Sequence, residues 1–179
     1  MATSNCTVNG INYFTSNNTA GAWGSSSWMS PTSAINNKAC FGKFYYGGYK
    51  YRALVLKFTT PTYSSTTHSR TVTFKVGLRR STQGSDNWHC AISTTPPNFA
   101  NTASAQIPST WVTNWNGIST GPSYEIKTFG TATFNFQSNT TYYAWLYSDT
   151  PSGNNVTGFF SNNYGSAAPT ITVQTEYSE

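Results

Sequence analysis

Charge is what this sequence has least of. Only 8% of its 179 residues are Asp, Glu, Lys or Arg, and the acids number 5: Asp86, Glu125, Asp149, Glu176 and Glu179. An average soluble domain is about one quarter charged. Glycoside hydrolysis needs two carboxylates roughly 5–10 Å apart. Asp86 and Asp149 fall in turn-like stretches, where Asp serves the backbone. Glu125 shares a strand face with Lys127, an ordinary surface arrangement. His68 and His89 are the only histidines. There is no GxSxG, and a Ser-His-Asp triad needs both a base and an orienting group. His89 and Cys90 are a poor dyad, because strand neighbours point to opposite faces. No catalytic residues are expected, and the chain is not read as an enzyme.

Cysteine is scarce too. Cys6, Cys40 and Cys90 form an odd set with no CxxC pair and no zinc-ligand spacing. They read as small buried apolar side chains, with one disulfide plus a free thiol as the alternative. Calcium on Asp86 or Asp149 with loop carbonyls stays open, but no dedicated metal or cofactor is expected. No Gly-rich phosphate cradle is present. No run approaches the roughly 18 apolar residues of a membrane span, so membrane insertion is not expected. The net charge of +5 reflects few acids rather than many bases. Only Arg79 and Arg80 are adjacent, so nucleic acid is not an expected partner.

What the chain has in plenty is Ser, Thr and Asn, 70 residues in all, with 6 Trp and 12 Tyr. Such a surface stays wet through hydroxyls and amides, as is common outside cells and on virus particles. The N-terminus, MATSNCTVNG, carries no export signal. Either a signal has been removed, or the protein leaves its host by lysis, as a phage particle protein does.

Alternation of side chains predicts an all-β fold. Expected strands are Cys6–Phe14, Tyr51–Thr59, Thr71–Arg79, Trp88–Thr94, Tyr124–Phe129, Thr131–Gln137, Thr141–Ser148, Val156–Ser161 and Pro169–Tyr177. Ser81–Asn87 reads as a turn. Phe99–Pro122 reads as a long loop with a helical turn near Ser109–Thr113. An antiparallel β-sandwich of jelly-roll type fits best, with an immunoglobulin- or fibronectin-like sandwich as the alternative. Residues 1–50 read as a strand and an irregular aromatic arm, packed on the sandwich or on a neighbour. Residues 51–179 carry the sandwich, and the whole is one domain.

Two strands are apolar on both sides. Leu54, Leu56 and Phe58 share one face of their strand, and Ala53 and Val55 share the other. In Thr141–Ser148, Tyr143, Trp145 and Tyr147 oppose Tyr142, Ala144 and Leu146. A sandwich strand needs only one dry face. The second must be covered by the arm, a loop or a partner subunit, which points to a homo-oligomer. Trp23, Trp28, Trp111 and Trp115 lie in irregular segments. With Tyr143, Trp145 and Tyr147, they are the candidates for a subunit interface or a glycan-binding platform. The alternative for the four tryptophans is that they anchor loops on the sandwich.

The segments 53–61 (ALVLKFTTP), 71–79, 90–97 and 134–147 (FNFQSNTTYYAWLY) resemble β-sandwich domains in structural proteins of phages and prophages of gut Gram-positive bacteria. The resemblance spans about residues 50–177. It implies a virion component and carries over no site. The function read is capsid decoration or a tail or fibre role, acting through other virion proteins or copies of itself, with host-surface glycans as a further candidate partner suggested by the aromatic surplus. A secreted carbohydrate-binding module is the alternative. The Asn139–Tyr143 corner also resembles the tyrosine corner of fibronectin-type sandwiches, where a Tyr hydroxyl ties a loop to the backbone.

Overall fold

The computed structural model describes residues 2–16, 21–30, 40–45, 49–62, 70–78, 85–108, 113–119, 125–134, 136–148, 157–159 and 171–177. Among these the chain runs β1 (Ala2–Ser16), β2 (Gly21–Trp23), β3 (Cys40–Tyr45), β4 (Tyr49–Thr59), β5 (Arg70–Leu78) and β6 (Ser85–Ser93). It continues through β7 (Thr113–Ser119), β8 (Glu125–Phe134), β9 (Thr141–Ser148), β10 (Thr157–Phe159) and β11 (Ile171–Tyr177). The one helical element among them is a single 3-10 turn, Ser104–Gln106. All strand pairings are antiparallel, in the order β7-β6-β9-β4-β1-β11-β5-β8. The all-β expectation from alternation therefore holds.

Strand β1 joins the two halves of this order. Its residues Ala2 to Cys6 pair with β11, and Thr7 to Ser16 pair with β4. The pairing shifts between Val8 and Gly10, where Asn9 is the extra residue of a bulge. Strand β4 is also shared. Its first residues pair with β3, and Leu54 to Thr59 pair with β9.

Several boundaries differ from the sequence reading. The stretch 99–122 is not loop throughout, because β7 lies within it and pairs with β6. Its helical turn falls at Ser104–Gln106; residues 109–112 of the expected turn lie outside the described residues. Gly130 does not divide two strands. Phe129 faces Phe74 and Thr131 faces Thr73, so Gly130 is a bulge inside one continuous β8. Strand β6 begins at Ser85, inside the expected turn.

Cross-strand partners share a face, so the registers sort the side chains of β1, β4, β9 and β6. Ile11, Leu54, Leu56, Phe58, Tyr142, Ala144, Leu146 and Cys90 fall on one face, and all are buried. Phe136 packs edge-on to Tyr142 and against Phe58 on this side. Phe14, Ala53, Val55, Tyr143, Trp145 and Ala91 fall on the other.

The corner before β9 is tied by hydroxyls. The backbone N–H of Gln137 donates to the Tyr142 hydroxyl at 2.7 Å. Thr60, 2% exposed, donates through its hydroxyl to the Gln137 carbonyl at 2.6 Å and accepts from the Thr140 N–H at 2.9 Å. Asn139 takes the left-handed φ of 47° that lets this corner close.

Candidate functional site

The face bearing Phe14, Val55 and Trp145 is covered by two stretches of irregular chain. The first is the arm at residues 21–30. It pairs with the free edge of β1 at both its ends, through β2 and through mutual Ile11–Met29 backbone bonds of 2.9 Å. Between these anchors it bulges over the face. Asn12, completely buried, pins the bulge by donating to the Ser25 carbonyl at 2.9 Å and accepting from the Tyr13 N–H at 2.9 Å. Gly24 is required here, because a Cβ would overlap the Tyr13 ring.

This route lays two tryptophans on the sheet. The Trp23 ring meets Phe14 at 5.5 Å and Trp145 at 6.0 Å. Trp28 crosses three strands. It stacks on Tyr143 of β9 at 5.8 Å, and Lys57 of β4 sits 5.2 Å from its ring centre. Beneath it lies Gly10 of β1, where a Cβ would crowd the indole at 3.0 Å.

The second cover is the loop 94–108 after β6. Phe99 packs edge-on against Trp23 at 4.8 Å and Trp28 at 4.9 Å, joining loop to arm. Ala103 is fully buried in the Phe14–Val55–Trp145 cluster, and Ile107 packs against it. One side chain makes most of the side-chain bonds that hold the loop. Gln106 accepts from the Asn98 N–H at 2.6 Å and donates to the carbonyls of Asn98, Thr102 and Asn101 at 2.8, 3.2 and 3.4 Å. The Trp23 indole N–H donates to the Asn101 carbonyl at 3.0 Å.

Between arm and loop runs an open groove of about 350 Å³, lined by Trp23, Phe99, Ser25, Ser26, Asn101 and Thr102, together with Ala100. None of these side chains is ionisable. Ser26, Asn101 and Thr102 are exposed.

The structure thus brings Trp23, Trp28, Tyr143 and Trp145 into one aromatic assembly. Trp145 is 1% exposed and forms its floor; its indole N–H has no hydrogen-bond partner. Trp23, Trp28 and Tyr143 are half-buried. Trp115 sits in β7 opposite Trp88, and Tyr147 sits in β9 opposite His89. Trp111 lies outside the described residues. Sequence reasoning missed Phe99, Asn101, Thr102 and Gln106. The only local signal was the turn-prone run after Pro96 and Pro97.

Cys90 is completely buried, and that burial pushes its thiol well above the ordinary range. A thiol held neutral in this way is a poor nucleophile. Cys6 is buried as well. Among the described residues no group of three or more His, Cys, Asp or Glu is placed to hold a metal ion. In comparisons with known proteins the chain matches no family, no curated protein and no solved structure.

Proposed function

We propose that this chain is a non-catalytic β-sandwich protein of a bacteriophage particle, a capsid-decoration or tail or fibre component that works by assembly and by attachment to the host surface. The observation that carries the binding role is the capped aromatic face. Half-buried rings of Trp23 and Phe99 line a groove without ionisable groups, and Trp28 packs on Phe99 and stacks on Tyr143 beside it. Aromatic residues flanked by neutral polar ones are the composition of binding surfaces.

A sandwich of jelly-roll type is the fold proposed. The face of Leu54, Leu56, Phe58 and Leu146 is buried opposite the capped face, which supports a second layer over it. The half of the order formed by β11, β5 and β8 is the material for that layer. Strand β1 feeds both halves, and β7 approaches β8 from the opposite end of the order.

Size-exclusion chromatography with light scattering, followed by negative-stain microscopy, tests the assembly role. A defined multimer or an ordered array is expected. A monomer that binds glycans would instead favour the second reading, a secreted carbohydrate-binding module. The observation favouring that alternative is the groove itself.

A further inference from the structure

We propose that the groove between arm and loop is a binding site for one neutral sugar residue, seated against Trp23 and Phe99 and hydrogen-bonded by Ser26, Asn101 and Thr102. This deepens the attachment part of the function proposed above and rests on it, not on the assembly part.

The lining selects the ligand class. No Lys, Arg, Asp or Glu lines the groove. A nucleotide, an acidic glycan or a charged peptide would therefore lose water without meeting an opposite charge. What the groove offers is ring surface beside hydroxyl and amide groups. Sugars present the matching pattern, with apolar C–H faces for the ring and hydroxyls that both donate and accept. Ser, Thr and Asn side chains likewise do both.

The hydrogen-bonding pattern separates a sugar from an extended peptide, which reads main-chain groups. On the loop wall several of those groups are in use. The Asn98, Asn101 and Thr102 carbonyls accept from Gln106, the Asn101 carbonyl also accepts from Trp23, and the Ala100 N–H donates to the Asn98 side chain at 3.0 Å. The side chains of Ser26, Asn101 and Thr102, in contrast, form no bond within the described chain. They are the groups left for a ligand, on a backbone already fixed by Gln106. A wall ordered in advance loses little entropy on binding. A volume of about 350 Å³ is at the small end of ligand sites, which suits a single ring rather than a long chain.

The test is to present the full chain to an array of neutral oligosaccharides built from hexoses, N-acetylhexosamines and deoxyhexoses. Hits are then quantified by isothermal titration calorimetry. Binding to a neutral glycan is expected, with a Kd on the order of millimolar for one site. The double variant Asn101→Ala/Thr102→Ala should weaken it by about tenfold or more. Its melting temperature should stay unchanged, since neither side chain bonds among the described residues. No binding to any neutral glycan, binding to acidic glycans alone, or undiminished binding by the double variant would overturn the proposal. The multimer measurement reads assembly separately, so a failed groove and a failed assembly role give different results.

Discussion

The two faces of the sheet formed by β1, β4, β9 and β6 are both dry, but they are kept dry differently. On one, Leu54, Leu56 and Phe58 are completely buried, with Tyr142 and Leu146 at 2% and 1% exposure. On the other, Val55, Ala91 and Trp145 are as deeply buried, yet the covering rings of Trp23, Trp28 and Phe99 remain half-exposed. The first face is buried without any such cover among the described residues, with Phe136 packed against Phe58 and Tyr142. The second is covered by irregular chain that polar side chains hold down, chiefly Asn12 and Gln106. A cover of that kind can keep a core dry and still present aromatic surface to a partner.

The sharpest break of this contrast is Phe58→Ala. Removing a fully buried ring should cost roughly 3–5 kcal/mol of global stability, read as a lowered urea midpoint. A loss below 1 kcal/mol would mean that this face is not the main core. Next is Asn12→Ala, which removes the side-chain bonds to the Ser25 carbonyl and from the Tyr13 N–H. A cost of about 1–3 kcal/mol is expected. Hydrogen exchange should place the loss mainly in residues 24–29, whereas uniform loss across the sheet would contradict a separately fastened cover. The smallest effect should come from Lys57→Met. It removes a half-buried cation above Trp28 but keeps the aliphatic stem. A change within about 1 kcal/mol is expected, and a larger one in thermal melts would make Lys57 a structural clamp.

Much of the first face was legible in the sequence. The alternation of Leu54, Leu56 and Phe58 against Ala53 and Val55 marks β4 as apolar on both sides, and the same logic applies to Tyr142–Trp145. From that pattern a cover over the second face was expected, and arm and loop supply it. Strands β3 and β7 were not legible. CFGKFY and TNWNGIS carry glycines and no clean alternation; β3 is held by the adjacent β4 and the distant β10, and β7 pairs back to β6 across the loop 94–108. Gly130 illustrates an ambiguity of local reading, since a glycine between apolar runs can end a strand or bulge it. Of the candidate site, Trp23 and Trp28 stood out as aromatics without a place in a regular strand. Gln106 could not stand out. Its role depends on the chain turning back on itself eight residues after Asn98, and no periodicity records that.

Gln106 has one more consequence. Because it grips main-chain atoms, the path of residues 98–102 does not depend on the side chains of Asn101 and Thr102. Positions 101 and 102 can therefore be exchanged while the loop keeps its trace. On the proposed sugar site, point changes at these two positions would alter the ligand bound without refolding the scaffold. Libraries randomised there should yield folded proteins with altered taste for ligands.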